Sequence, residues 1–167
     1  MTLAMLVVSN TSPIWNMASI SQLDLLCAQF PDVHIPQDVW DELIVAKDFN
    51  EFSHIQQSIE LQQIKIQKLT NTALKQSLML DLDKGEAAAI ALAIESGIKD
   101  IIIDENEGRK VARAMGLRPI GILGILLLAK KQRKIHSLTD EMLRLKDMSG
   151  FFIADTLFKQ LQKEAGE

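Results

Sequence analysis

Apolar positions along this chain follow two rhythms. Leu6-Val7-Val8, Val33-His34-Ile35, Ile64-Lys65-Ile66 and Ile101-Ile102-Ile103 are short compact runs, whereas the stretches between them repeat apolar residues every three or four positions. The runs predict strands and the intervening stretches predict amphipathic helices. The first and fourth runs are apolar throughout, as strands of a parallel sheet covered on both faces are. A weaker fifth strand is predicted at Arg118-Pro119-Ile120-Gly121, since Pro is confined to strand starts and edges.

Punctuation between the runs predicts where the helices begin and end. Ser12 is read as an N-cap with Pro13 at the first helical position, and Ser21 as a second cap ahead of Leu23, Leu25 and Leu26. Helices are predicted at about 37–46, 51–62 and 71–80. Asp83 is expected to cap a long helix that closes at Gly97. Further helices are predicted at 109–115, 124–134 and 139–146, with Asp155 capping a last one. Strands separated by helices, with no repeat and no linker, predict one doubly wound α/β domain over 1–167.

Composition narrows the class. At 47% apolar and 24% charged residues, a chain of 167 residues builds a real core. Positions 1–8 are apolar but lack a basic flank and run straight into a polar turn, unlike a signal peptide. No apolar run is long enough to span a bilayer. The lone Cys27, among leucines, is expected to be a buried thiol. Together these features predict a cytoplasmic protein without a membrane partner. A net charge of −4 gives no general attraction to nucleic acid, so a polyanion requires a local basic patch or metal ions.

In open α/β sheets ligands sit beyond the carboxyl ends of the strands, at the switch in strand order. Asn10 follows the first strand and Asp104 the fourth; Glu86 opens the helix leading to the fourth strand, and Glu42 lies in the helix after the second. If the first and fourth strands are neighbours, these four side chains converge. Crowded carboxylates hold protons unless a cation sits among them. Oxygen donors without His or Cys suit Mg²⁺ or Mn²⁺, and the three histidines, His34, His54 and His136, are scattered. Water activated by such an ion is a nucleophile for a phosphodiester.

Three segments carry a family resemblance: Val8-Ser9-Asn10-Thr11-Ser12-Pro13-Ile14, Asp83-Lys84-Gly85-Glu86-Ala87 with Ile90-Ala91-Leu92-Ala93, and Ile103-Asp104-Glu105 with Gly108-Arg109-Lys110-Val111-Ala112. In order and spacing they resemble the PIN-domain superfamily, and within it the prokaryotic DUF3368 branch, related to VapC-type toxins. The resemblance extends over nearly the whole chain, through Gly121-Ile122-Leu123-Gly124 to the C-terminal helix. It implies a three-layer α/β/α domain with a central parallel sheet of about five strands. It implies a Mg²⁺-dependent (or Mn²⁺-dependent) endoribonuclease with Asn10, Glu42, Glu86 and Asp104 as catalytic and metal-binding residues. RNA is the implied substrate, contacted by Ser12 and Arg109. A cognate antitoxin and a homodimer are the implied partners. The family pattern has Asp where this chain has Asn10, which contributes no charge and no base. A catalytically weak or inactive PIN-fold module that binds protein or RNA is therefore the alternative.

Local roles compete with the functional ones. Glu86 has capping-box spacing to Asp83, Asp104 and Asn10 suit turns, Asp41 competes with Glu42, and Glu105 with Asp104. Ser12 is first a helix cap. Basic side chains at Lys130, Lys131, Arg133 and Lys134, or at Arg109, Lys110 and Arg113, are candidates for RNA phosphates or for solvated helix ends. Trp15 and Trp40 are expected to pack in the core rather than to stack on bases, and the stripe Ile122, Ile125, Leu126, Ala129 is expected in the core or a subunit contact. A phosphoacceptor fold is set aside because Gln67-Lys68-Leu69-Thr70 follows the third strand, and a dinucleotide fold because no Gly-rich turn follows the first.

Overall fold

The computed structural model describes residues 5–167, so the first four positions of the apolar N-terminus lie outside the described residues. Five strands form one sheet: β1 (Leu6–Ser9), β2 (Asp32–Pro36), β3 (Ile64–Gln67), β4 (Asp100–Ile102) and β5 (Arg118–Ile120). Their spatial order is β3-β2-β1-β4-β5, and every pair is parallel. β1 therefore lies between β2 and β4, and the order reverses there. Val8 pairs with Ile101 and Ser9 with Ile102, which brings Asn10 and Asp104 to one end of adjacent strands.

Among the described residues there are ten helices: α1 (Thr11–Ser19), α2 (Leu23–Gln29), α3 (Gln37–Ile44), α4 (Phe52–Glu60), α5 (Thr72–Leu78), α6 (Lys84–Ser96), α7 (Asn106–Ala114), α8 (Ile122–Lys131), α9 (Leu138–Ser149) and α10 (Asp155–Glu164). The period-two alternation of strand side chains separates two cores. Val7 and Ile102 join the cluster packed under α1, α2, α4, α8 and α9, while Val8, Ile101 and Ile103 join the one under α6 and α7. Three layers result, α/β/α. Cys27 is buried, as are Ile122, Ile125, Leu126 and Ala129, and Trp15 and Trp40 pack partly buried at the edge of the larger core.

α6 is the central helix. Ala87 through Ala93 are all buried, so it is apolar all round and lies across β1, β2 and β4. Its alanines allow close approach to the sheet. Its start carries a complete capping box, in which Asp83 accepts from the Glu86 N–H at 2.8 Å and Glu86 accepts from the Asp83 N–H at 3.3 Å. Gly97 ends the helix in the left-handed region at φ 69°, which favours a residue without Cβ.

Several local starts differ from the sequence expectation. Asn10, not Ser12, occupies the N-cap of α1, and its side chain makes no capping bond. Ser12 sits in the first turn, and Pro13 one residue further, so the turn before α1 is shorter than the cap pattern suggested. Ser21 adopts φ 57° in the turn between helices, leaving Gln22 at the N-cap of α2. Ala154 rather than Asp155 precedes α10. α7 begins at Asn106, three residues ahead of the predicted 109. α8 begins at Ile122, where the predicted start was 124, because its first N–H is satisfied from a distant side chain. Ser137 caps α9, which runs on to Ser149. Among the described residues no helix is long and apolar enough to cross a membrane.

Candidate metal centre

Parallel strands point their carboxyl ends the same way, and the helices that follow them start there. Asn10 extends β1: its N–H donates to the Ile102 carbonyl at 3.0 Å, and its own carbonyl accepts from the Ser9 hydroxyl at 2.9 Å. Its side chain is 3% exposed, and its Oδ1 is buried without a hydrogen-bond partner.

Asp104 stands two residues beyond the last paired residue of β4, Ile102. Its Oδ1 accepts from the Ile122 N–H at 3.0 Å and so takes the first orphan donor of α8. Its Oδ2 is buried and has no partner. Burial pushes this carboxyl up to about 6, against the lowering effect of the Ile122 N–H and the Arg109 guanidinium, and Glu105 adds to the rise. Two unpartnered buried oxygens at one switch point are each costly, by about 1–3 kcal/mol for such a group.

Glu86 is buried at the start of α6. Burial raises its pKa first, then the charges of Asp83, Glu105 and Glu42, while the Asp83 N–H lowers it. Its cap bond uses Oε2. Its Oε1 lies toward the first turn of α7, where a Cβ added to Gly108 would stand 3.3 Å away. Glu86 thus caps α6 through one oxygen and leaves the other beside α7.

Glu42 accepts a short hydrogen bond from the Thr11 hydroxyl, and its carboxylate lies over Gly85, where a Cβ would stand 2.7 Å from both oxygens. A side chain at Gly85 would fill the space that Glu42 occupies. Asp41 is exposed and bonds Gln37 instead, at 2.9 Å. Glu105 is likewise exposed at the N-cap of α7. Asp104 is the more buried of its pair, whereas Glu42 is exposed like Asp41 and differs from it in bonding Thr11 over Gly85.

Arg109 is folded back rather than extended to solvent. Its Nη1 donates to the Ile103 carbonyl at 3.0 Å, and Gly121 leaves room for it beside Asp104, where a Cβ would stand 3.0 Å from both Arg109 Nη1 and Asp104 Oδ1. Burial lowers its pKa first, and the nearby Arg113 further, with Asp104 opposing. Ser12 lines a cleft of about 550 Å³ together with Thr11, Trp15, Asp104, Asn106 and Phe152. The basic run Lys130–Lys134 is at the far end of α8, about 15 Å along its axis from the acidic end. Lys130 is engaged there by the His136 carbonyl at 2.6 Å.

The donor set is therefore an amide oxygen and carboxylates with no His or Cys. That chemistry, with two orphaned buried oxygens, fits a hard divalent cation such as Mg²⁺ or Mn²⁺. Among the described residues no three His, Cys, Asp or Glu side chains stand close enough to form a ready cluster. Glu42, Glu86 and Asp104 are therefore not gathered into one such cluster. Thr11, the glycines that make room for Glu42 and Asp104, and the Ser149–Phe152 wall of the cleft were not foreseen from sequence. Thr11 had one signal, its place beside Asn10 in the turn; the wall had none.

The family model described as DUF3368, a PIN domain, matches residues 6–167. No curated protein matches the chain.

Proposed function

The chain belongs to the DUF3368 family of PIN domains, and on that premise we propose that it is a divalent-metal-dependent endoribonuclease centred on Asn10, Glu42, Glu86 and Asp104. PIN domains are a nuclease-type fold, and the family generally acts on RNA through divalent metals. The observation that carries the proposal is the pair of buried, unpartnered oxygens, Asn10 Oδ1 and Asp104 Oδ2, beyond adjacent strands.

Asn10 and Asp104 would hold Mg²⁺ or Mn²⁺ from the strand side, with Glu86 and Glu42 from the helix side. When bound, the ion supplies positive charge against the charge that builds on the phosphate and lowers the pKa of water. The remaining work falls to the chain itself. Ile122 N–H and Arg109 fix the Asp104 carboxylate, and Asp83 fixes Glu86. Thr11 holds Glu42 over Gly85. Ser12, in the wall of the 550 Å³ cleft, offers a hydroxyl to the phosphate. Arg109, beside Asp104, would orient that carboxylate and lend positive charge to an RNA phosphate at the mouth. A role as the toxin of a toxin–antitoxin pair, a cognate antitoxin, a homodimer and a cytoplasmic setting complete the proposal, supported by the resemblance to VapC-type toxins.

The second reading, a weak or inactive binding module, is favoured by Asn10 itself and by the lack of a ready acidic cluster among the described residues. A Mn²⁺ titration followed by thermal unfolding, run alongside cleavage of end-labelled single-stranded RNA, separates the two. The nuclease reading expects Mn²⁺ at millimolar levels to raise Tm and to support cleavage. It also expects Asn10→Asp to tighten Mn²⁺ binding roughly tenfold, the effect of about 1.4 kcal/mol from one added charge. If Mn²⁺ neither stabilises the protein nor supports cleavage, the enzyme reading fails.

A further inference from the structure

The cleft beside Asp104 has a wall that the metal chemistry does not use. α9 ends at Ser149, and Gly150 takes the left-handed conformation at φ 65°. The Phe151 N–H then donates back to the Leu145 carbonyl at 3.2 Å, closing the helix end. From there the chain is irregular up to α10 and its side chains alternate. Phe151 packs against the larger core and Ile153 is 4% exposed, whereas Phe152 between them is 85% exposed. Anchored on both sides, Phe152 cannot withdraw into the core. Its ring is presented to water at the cleft that Trp15, Ser12, Asn16 and Asn106 also line.

We propose that Phe152, with Trp15 in the same cleft, is a stacking subsite for one unpaired nucleobase next to the phosphate that is cut. This rests on the nuclease reading, because that reading is what places a phosphodiester at Asp104. Three features favour a base over other occupants. The cleft, at about 550 Å³, has the size of a small-molecule site. Its walls bring the exposed Phe152 ring and Trp15, which also packs edge-on with Phe49 at 6.1 Å, together with the amides of Asn16 and Asn106, groups that match the π-face and the polar edge of a base. Its charged members, Asp104 and Glu105, are acids, so beyond the one phosphate that a cation at Asp104 would hold, the cleft favours a neutral base over further phosphates. A base inside a duplex has both faces covered, so only an unpaired one can stack on Phe152.

Binding carried by stacking rather than by phosphate neutralisation depends weakly on salt. The test uses the full chain with Trp40→Phe, so that Trp15 is the one fluorescent tryptophan; Trp40 packs on Phe52, outside this cleft. Trp15 fluorescence is titrated with a short single-stranded oligoribonucleotide in EDTA, and with its phosphorothioate form in Mn²⁺. A series of oligomers with one abasic position each follows. Phe152→Ala is expected to weaken binding roughly tenfold to a hundredfold, with Tm unchanged and Phe152→Trp restoring affinity. One abasic position should erase the difference between Phe152→Ala and the parent. The subsite is overturned if Phe152→Ala binds as the parent does, if every abasic oligomer is equally sensitive to it, or if the parent binds no oligomer in either condition. Binding with this pattern but without Mn²⁺-dependent cleavage sinks the nuclease reading and leaves the subsite standing. Cleavage with KM unmoved by Phe152→Ala does the reverse.

Discussion

Gly85→Ala tests the placement of Glu42 with little disturbance to the fold. The new Cβ would stand 2.7 Å from both Glu42 oxygens and 3.0 Å from its Cδ, so the carboxylate must move. It is the free end of an exposed side chain and can swing into water. The hydrogen bond from Thr11 is lost with it, at about 1 kcal/mol. Ala over Gly in the first turn of α6 returns up to about 1 kcal/mol. Stability should therefore change by no more than about 1 kcal/mol, or roughly 2–4 °C in Tm for a domain of this size. The metal site should not be spared. Moving one carboxylate from about 4 to about 8 Å from a divalent ion weakens their attraction by about 1 kcal/mol in water, and by about 4 kcal/mol at an effective dielectric of 20. Because Glu42 is exposed, the lower figure applies best, and Mn²⁺ affinity should fall about fivefold to tenfold. Isothermal titration with Mn²⁺ on the parent, Gly85→Ala and Glu42→Gln, together with urea unfolding in EDTA, reads both quantities. A loss of stability above about 3 kcal/mol would show that Glu42 cannot swing away. Parental Mn²⁺ affinity in both variants would remove Glu42 from the site.

Two further predictions rest on the same end of the sheet. Asp104 titrates at about 6 when folded against 3.8 for the free group, so the folded chain binds this proton more tightly and the apoprotein loses stability as pH rises from about 4 through 6. The loss is at most about 3 kcal/mol; urea unfolding in EDTA at pH 4.5 and pH 7.5 should show it flattened in Asp104→Asn, and parallel profiles would refute the assignment. Gly108→Ala would put a Cβ 2.5 Å from Ile103 Cδ1, inside a fully buried core, and should cost about 1–3 kcal/mol in urea unfolding despite the better helix former; an unchanged midpoint would mean that α7 sits further from β4 than described.

What could be read from the sequence was what nearest neighbours decide. The first and fourth runs are apolar throughout because β1 and β4 are covered on both faces and have no polar side to interrupt them, and the shorter signals at β2, β3 and β5 also stand at strands. The capping box at Asp83 and Glu86 and the glycine stop at Gly97 are chemistry within one helix, and they stand where the spacing puts them. The family motifs likewise mark Asn10, Glu86 and Asp104 by their order along the chain.

Tertiary structure decided everything that depends on partners far apart. α8 has no local cap, and its start at Ile122 is set by a carboxylate 18 positions earlier, delivered by β4. That Glu42 rather than Asp41 reaches across to another element depended on Thr11 and on the open space above Gly85, neither of which lies in the same helix. The outward aim of Phe152 follows from Phe151 and Ile153 finding a core that α1, α8 and α9 assemble together. Local propensity acts over a few residues, whereas burial, orphaned oxygens and raised pKa values arise only once the sheet order has brought distant segments into one crevice.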